Sequence, residues 1–292
     1  MKKNSAPYTL HSTLDKPVLL ISASDSSAAA GIQVDLRVLN DLGAPARCAI
    51  TAVTVQGDDG ARSIHPMDPG IILESINTAL SDSPGIGAVK VGLLGNGFTA
   101  EALDGPLSEL HGSGIPVVVD PVMRSTPGSA LSTADTAGAI LEKVLPWATL
   151  LTPNRDEFEA LSVLIGTVDS DEAIKVQRLL EFGAGGILVT GGDTNEEQCT
   201  DILYEKGGTV TEFQHPRIGV RAPRGTGCAF STAIAVYLGR GLPVSEAVRQ
   251  SKEYVTGLIE RAALVGDQLL LFPGGTWKKP FDTETGRHGD TE

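Results

Sequence analysis

Aromatic residues make up only 4% of this 292-residue chain, so its core has to be built from aliphatic side chains. Cysteine is almost absent. Cys48, Cys199 and Cys228 lie far apart and form no CxxC pair, which speaks against a metal cluster and against a disulfide framework. So odd and small a set of thiols suits a reducing compartment, and a cytoplasmic location is expected. Positive charge is also scarce. With 23 Lys and Arg against 36 Asp and Glu, the formal net charge is -13. Such a chain is a poor partner for polyanions, so neither nucleic acid nor an anionic membrane is expected to bind it. No apolar run approaches the roughly 20 residues that cross a bilayer. Residues 1–17 carry Lys2 and Lys3 with no apolar stretch behind them and do not read as a signal peptide.

What the chain does have is glycine, 34 residues of it, and an aliphatic pattern that repeats. Short apolar runs at 18–21, 49–55, 88–94, 116–120, 148–151 and 186–190 read as strands. Helical spacing follows at 31–42, where Ile32, Leu36, Leu39 and Leu42 share a face, and at 69–80, with Pro69 suited to the first turn. Polar or glycine-rich residues stand just after the strands, as at Asp120, Asn154 and Gly191-Gly192. This pattern predicts an α/β fold with a mainly parallel, doubly wound sheet flanked by helices and ligands at the carboxyl ends of its strands. Residues 202–218 look like a hairpin, and helices are predicted at 226–238 and 244–263. One domain should span 18–277, behind an extension at 1–17. The polar tail at 278–292 is expected to be disordered.

Three segments carry candidate chemistry. In Ala222-Pro-Arg-Gly-Thr-Gly-Cys-Ala-Phe230 a Gly-Thr-Gly turn opens directly into an apolar helix. Backbone N–H groups and the helix dipole would form an anion hole there, although a plain glycine turn would look the same. Cys228, in the first helical turn, is either a thiol of lowered pKa or a small buried hydrophobe. In Leu151-Thr-Pro-Asn-Arg-Asp-Glu157, Asn154 and Glu157 have the spacing of a capping box and equally of groups around a hydrated Mg²⁺, with Asp120 nearby. In Ala23-Ser-Asp-Ser-Ser-Ala-Ala-Ala-Gly-Ile-Gln-Val-Asp35, small residues between strand and helix would admit a flat ligand, or form an ordinary surface loop.

In this order, Ser24-Asp-Ser-Ser-Ala-Ala-Ala-Gly-Ile-Gln-Val-Asp35, Ile50-Thr-Ala-Val-Thr-Val-Gln56, Lys90-Val-Gly-Leu-Leu94, Val119-Asp-Pro-Val-Met123, Thr152-Pro-Asn154 and Gly225-Thr-Gly-Cys228 resemble the blocks of hydroxymethylpyrimidine and phosphomethylpyrimidine kinases. These belong to the ribokinase-like superfamily. The resemblance runs from about residue 18 to 261 and implies an ATP- and Mg²⁺-dependent phosphotransferase of thiamine biosynthesis acting on 4-amino-5-hydroxymethyl-2-methylpyrimidine, and on its monophosphate in a second step. It implies Ala23, Asp35, Gln56, Leu93 and Val122 at the pyrimidine, with Asp35 and Gln56 hydrogen-bonded to it. Gly225, Thr226 and Gly227 would hold the phosphoryl group in transfer, with Cys228 as the base. Asn154, Thr190 and Gly192 would meet the nucleotide, and Asp120 and Glu157 the metal. A homodimer is implied too.

The chain departs from that pattern in several places. Ala23, Ala28 and Ala29 stand for glycines, Ser26 for a proline, Thr126 and Thr190 for lysines, and Arg224 for a histidine. Arg124, Arg221 and Arg224 are candidates to replace the two missing cations. A pyridoxal or pyridoxine kinase and a ligand-binding regulatory protein without turnover stay open as alternatives.

Overall fold

The computed structural model describes residues 16–57, 60–123, 131–192, 197–219, 223–265 and 268–274. Most of the extension and the whole 278–292 tail lie outside them, as do Arg124, Thr126 and Arg221.

Among the described residues, one sheet has nine strands. These are β1 (Val18–Asp25), β2 (Ala46–Gly57), β3 (Gly60–Pro66), β4 (Ala88–Val91), β5 (Val117–Val119), β6 (Leu150–Leu151), β7 (Gly186–Val189), β8 (Gln198–Glu205) and β9 (Val210–Pro216). Their spatial order is β3-β2-β1-β4-β5-β6-β7-β8-β9. The six strands from β2 to β7 run parallel, while β3 at one edge and β8 and β9 at the other are antiparallel. The helices are α1 (Gly31–Asp41), α2 (Pro69–Ser81), α3 (Gly97–Gly112), α4 (Ala134–Ala139), α5 (Arg155–Leu164), α6 (Glu172–Leu180), α7 (Thr226–Gly239) and α8 (Val244–Glu260). A small hairpin, β10 (Ala263–Val265) and β11 (Gln268–Leu270), follows.

Neighbouring residues of the central strands point to opposite faces, and both faces are covered, so these strands are apolar throughout. Leu19, Ile21, Val89, Val91, Val117, Val119 and Leu151 pack with Ile72 and Ile76 of α2, Leu103 and Leu107 of α3, Phe158 of α5 and Leu179 of α6. Val18, Leu20, Ala88, Val118, Leu150 and Leu188 pack with Val34 and Val38 of α1, Ala233 and Ile234 of α7, and Val248 and Val255 of α8. Each fully buried Val, Leu, Ile or Phe side chain among these contributes about 1.5–3 kcal/mol. Helix α7 lies between the sheet and its neighbours α1 and α8, which is why its sequence is apolar around most of its circumference.

The expected α/β sheet is present, with several differences in its elements. The predicted run at 88–94 is a strand only to Val91. The hairpin starts earlier, at Gln198, and the last helix ends at Glu260 rather than 263. Among the described residues no helix is long and apolar enough to cross a membrane.

Candidate active site

The carboxyl ends of the parallel strands open on one side into a cleft of about 260 Å³. Gln56 comes to it from the end of β2, Asp120 and Val122 from behind β5, Thr152, Asn154 and Glu157 from the β6–α5 junction, Thr190 and Gly192 from behind β7, and Gly225–Cys228 from the start of α7. Segments spread between Gln56 and Cys228 are thereby brought onto one rim.

The start of α7 is built by glycine. Gly225 caps it in the left-handed region, at φ 83°. A Cβ there would overlap the carbonyl oxygen of Ala29 and lie 3.1 Å from Val34 Cγ2. The first bond within the helix is Ala229 N–H to Gly225 O, so the N–H groups of Thr226, Gly227 and Cys228 precede the ladder and are free of helical partners. Thr226 Oγ1 donates to Pro223 O at 2.7 Å and fixes the turn. The result is a preorganised set of donors at the positive end of a buried helix, suited to phosphoryl oxygens.

Beneath this turn lies a buried ion cluster. Lys90, central in β4 and fully buried, donates to Asp35 Oδ2 at 3.0 Å and stands 4.0 Å from Asp120 Oδ2. Thr232 Oγ1 donates to Asp35 at 2.8 Å, and Ser231 Oγ to Asp120 at 3.0 Å. Burial alone would depress the ammonium's pKa, but the attraction of Asp35, Cys228 and Asp120 raises it above the usual lysine range. Burial also raises Asp120, against the opposing pull of Lys90 and of the Ser231 hydrogen bond. A lone lysine inside an apolar strand could have signalled this cluster from the sequence, because a buried ammonium needs partners. Asp35, expected at the pyrimidine, is instead sealed below the cleft, with its oxygens taken by Lys90 and Thr232.

Cys228 lines the cleft as expected, but the expected lowering of its pKa is reversed. Burial pushes the thiol up to about 12, and the carboxylates of Asp120 and Asp35 add to this while Lys90 and the Gly31 N–H work against it. Loss of water around the thiol thus outweighs the nearby ammonium and N–H donor.

At α5 the capping box is real. Asn154 Oδ1 accepts from Glu157 N at 2.8 Å, and Glu157 Oε2 accepts from Asn154 N at 3.0 Å. Glu157 Oε1 accepts from Met123 N at 3.2 Å. Both carboxylate oxygens are thus already engaged, though each still has lone-pair capacity towards water. Among the described residues no group of three or more His, Cys, Asp or Glu could enclose a metal ion. The donors present, Asp120 and Glu157 on one rim, fit a magnesium ion that keeps waters and takes its remaining ligands from phosphates. Thr190 N–H donates to Pro153 O, bringing Thr190 beside Asn154. Further along, Asp201 links the Gly191 N–H (2.9 Å) to Lys252 Nζ (2.6 Å), tying α8 to the strand ends. Sequence reading missed Asp201 and Lys252, which also line the cleft.

At the opposite corner, Gln56 and Val122 line the cleft, whereas Ala23 and Leu93 lie behind it in a small apolar cluster. The backbone of Ala23 meets the start of α1: Gly31, at φ 60°, packs so closely that a Cβ would meet Ala23 O at 2.5 Å. Arg224 lines the cleft but is no spare cation for a phosphate. Its side chain is buried, donates to Gln56 Oε1 (2.8 Å), Gln268 Oε1 (3.2 Å) and Gly57 O (3.3 Å), and stands 3.9 Å from Asp25.

A doubly wound sheet with a glycine-capped anion hole facing two carboxylates defines a small-molecule kinase of the ribokinase-like kind. Comparison with known proteins makes this specific. The phosphomethylpyrimidine kinase family model matches residues 25–271, and the chain belongs to that family. It is 35% identical over 246 residues to the hydroxymethylpyrimidine/phosphomethylpyrimidine kinase of Rhizobium meliloti, covering 84% of this chain and 90% of that protein. It is also 35% identical over 251 residues to the thiamine biosynthesis bifunctional protein ThiED of Geobacter sulfurreducens, covering 85% of this chain but spanning only 50% of that longer protein. Among solved structures, the pyridoxal kinase of Staphylococcus aureus with AMP-PCP and pyridoxal superposes with a TM-score of 0.76 at 28% identity, over 89% of this chain and 93% of that one. The phosphomethylpyrimidine kinase of Clostridium difficile gives 0.67 at 29%, over 83% and 98%.

Proposed function

We propose that this chain transfers the γ-phosphoryl group of ATP to the hydroxymethyl group of 4-amino-5-hydroxymethyl-2-methylpyrimidine in thiamine biosynthesis. The observation that carries this reading is the Gly225–Cys228 turn, facing Asp120 and Asn154 across one cleft in a chain of this family. The N–H groups that open α7 hold the phosphoryl oxygens as charge spreads over them, so catalysis rests on positioning and charge stabilisation. A magnesium ion held through water by Asp120 and Glu157 would neutralise phosphate charge. Asn154, Thr190 and Gly192 meet the nucleotide, and Gln56 with Val122 orients the ring.

Cys228 stands beside the reacting hydroxyl. It is a thiol in the free protein, and the Lys90 ammonium and the Gly31 N–H are the two features that favour its thiolate. The alternative alcohol is a pyridoxal-type ring, favoured by the fit to the Staphylococcus aureus enzyme. The reading also includes a homodimer in the cytoplasm, which light scattering and fractionation test. The deciding experiment is ATP turnover by the purified protein with the aminopyrimidine alcohol, its monophosphate and pyridoxal. Monophosphate formation from the pyrimidine is expected. Turnover of pyridoxal alone would transfer the assignment to the alternative, and no turnover of any of them would overturn the kinase reading.

A further inference from the structure

The corner of the cleft formed by Gln56 has been changed by Arg224. A guanidinium only donates, so the Gln56 amide atom that faces it at 2.8 Å has to be the oxygen. The amide nitrogen of Gln56 faces Thr54 Oγ1 at 2.9 Å and keeps its second hydrogen. Arg224 cannot swing away easily, since Gln268, Gly57 O and the charge of Asp25 hold it in a buried position. An amide in this state offers a ring one N–H donor, while its oxygen already has one partner before any ligand arrives and is not left bare when the ring brings none.

Resting on the kinase reading above, we propose that Arg224 is a specificity-determining residue that releases substrate choice from the exocyclic amine. A glutamine with a bare oxygen penalises a ring lacking the amine, because the bound ring then encloses the acceptor and leaves it unpaired. That penalty amounts to about 5- to 150-fold. Here Arg224 keeps Gln56 Oε1 paired whichever ring is bound. The site accordingly accepts hydroxymethyl-substituted nitrogen heteroaromatics through a ring acceptor atom, with or without an amino group beside the hydroxymethyl arm.

The test compares kcat/KM for the 4-amino pyrimidine alcohol with that for the same molecule carrying hydrogen at position 4, in the wild type and in Arg224→Leu and Arg224→Met. A ratio of two substrates on one preparation is independent of the fraction of protein folded. The wild-type ratio is expected within about five-fold, rising about ten-fold or more in both variants as Gln56 Oε1 loses its donor. An unchanged ratio in both variants overturns the inference. A wild type that turns over neither alcohol overturns the kinase reading instead.

Discussion

Replacing Gly225 with alanine isolates the geometry on which the anion hole depends. The residue sits at φ 83°, where an L side chain costs about 1–2 kcal/mol. The new Cβ would also overlap Ala29 O and press on Val34 Cγ2 at 3.1 Å. Ordinary contact needs roughly 3.5 Å, so α7 and the β1–α1 loop must separate by about 1 Å. Overpacking of this kind adds about 1–3 kcal/mol, giving a loss of about 2–5 kcal/mol in all. At roughly 2–4 °C per kcal/mol for a chain of this size, the midpoint should fall by about 4–20 °C. A shift of about 1 Å at the phosphoryl donors should lower kcat by about 10²-fold even where the protein is folded.

Gly227→Ala is the control in the same turn. Its Cβ meets nothing within 4 Å, and alanine is the better helix former by about 1 kcal/mol, so its melting point should hold or rise. Calorimetry and steady-state kinetics on both variants read the difference. A Gly225→Ala enzyme with wild-type melting point and kcat would refute the close-packed turn.

Three further outcomes follow from the site. Cys228, pushed up to about 12, keeps its proton through the neutral range. The stability this confers is complete below the unfolded value near pH 8.5 and fades as pH rises towards 12. Alkylation of Cys228, followed by peptide mapping, should speed up about ten-fold per pH unit without levelling off up to pH 10, and a plateau reached below pH 8 would show an activated thiolate instead. Asn154→Ser retains a side-chain cap for α5 but removes the amide N–H donor. The melting point should stay within about 2 °C while KM for ATP rises about ten-fold, and a lower melting point with unchanged KM would make Asn154 purely a cap. Ala28 has φ 56°, so Ala28→Gly should relieve about 1–2 kcal/mol of strain less about 0.4–1 kcal/mol of chain entropy. A raised melting point is expected, and a lowered one would mean that the alanine methyl packs favourably there.

The parallel centre of the sheet was legible because its strands are buried on both faces and end in polar residues, two signals that reinforce each other. Strand β3 was not, because an edge strand of mixed polarity such as Gly60–Pro66, half-buried or exposed at every residue after Gly60, shows no apolar period. Helix α3 was obscured by Gly97, Gly105 and Gly112 and by an internal Pro106, although Asn96 caps it and Leu103 and Leu107 bury one face. At the site, residue type and spacing pointed to Gly225 and Asn154, because a turn or a strand end fixes where such residues stand, and the family resemblance added Gln56. They could not separate a group that faces the ligand from one that faces another side chain. Asp35 and Lys90 pair across 55 residues of sequence, and only the fold brings the ammonium within reach.

The departures from the family pattern make the same point more sharply. Ser26, Ala29 and Arg224 are spread over two hundred residues and look independent. In the folded chain Ser26 Oγ accepts the Gln56 N–H, Arg224 donates to Gln56 Oε1, and Ala29 O fills the space that a Cβ on Gly225 would need. Residues in contact do not vary independently, since a change in one alters the hydrogen bonds or the space left to the others. Restoring a single family residue here, such as a histidine at 224, would therefore leave Gln56 Oε1 and the charge of Asp25 to find new partners. The substitutions are better understood as one repacked corner of the cleft than as separate losses.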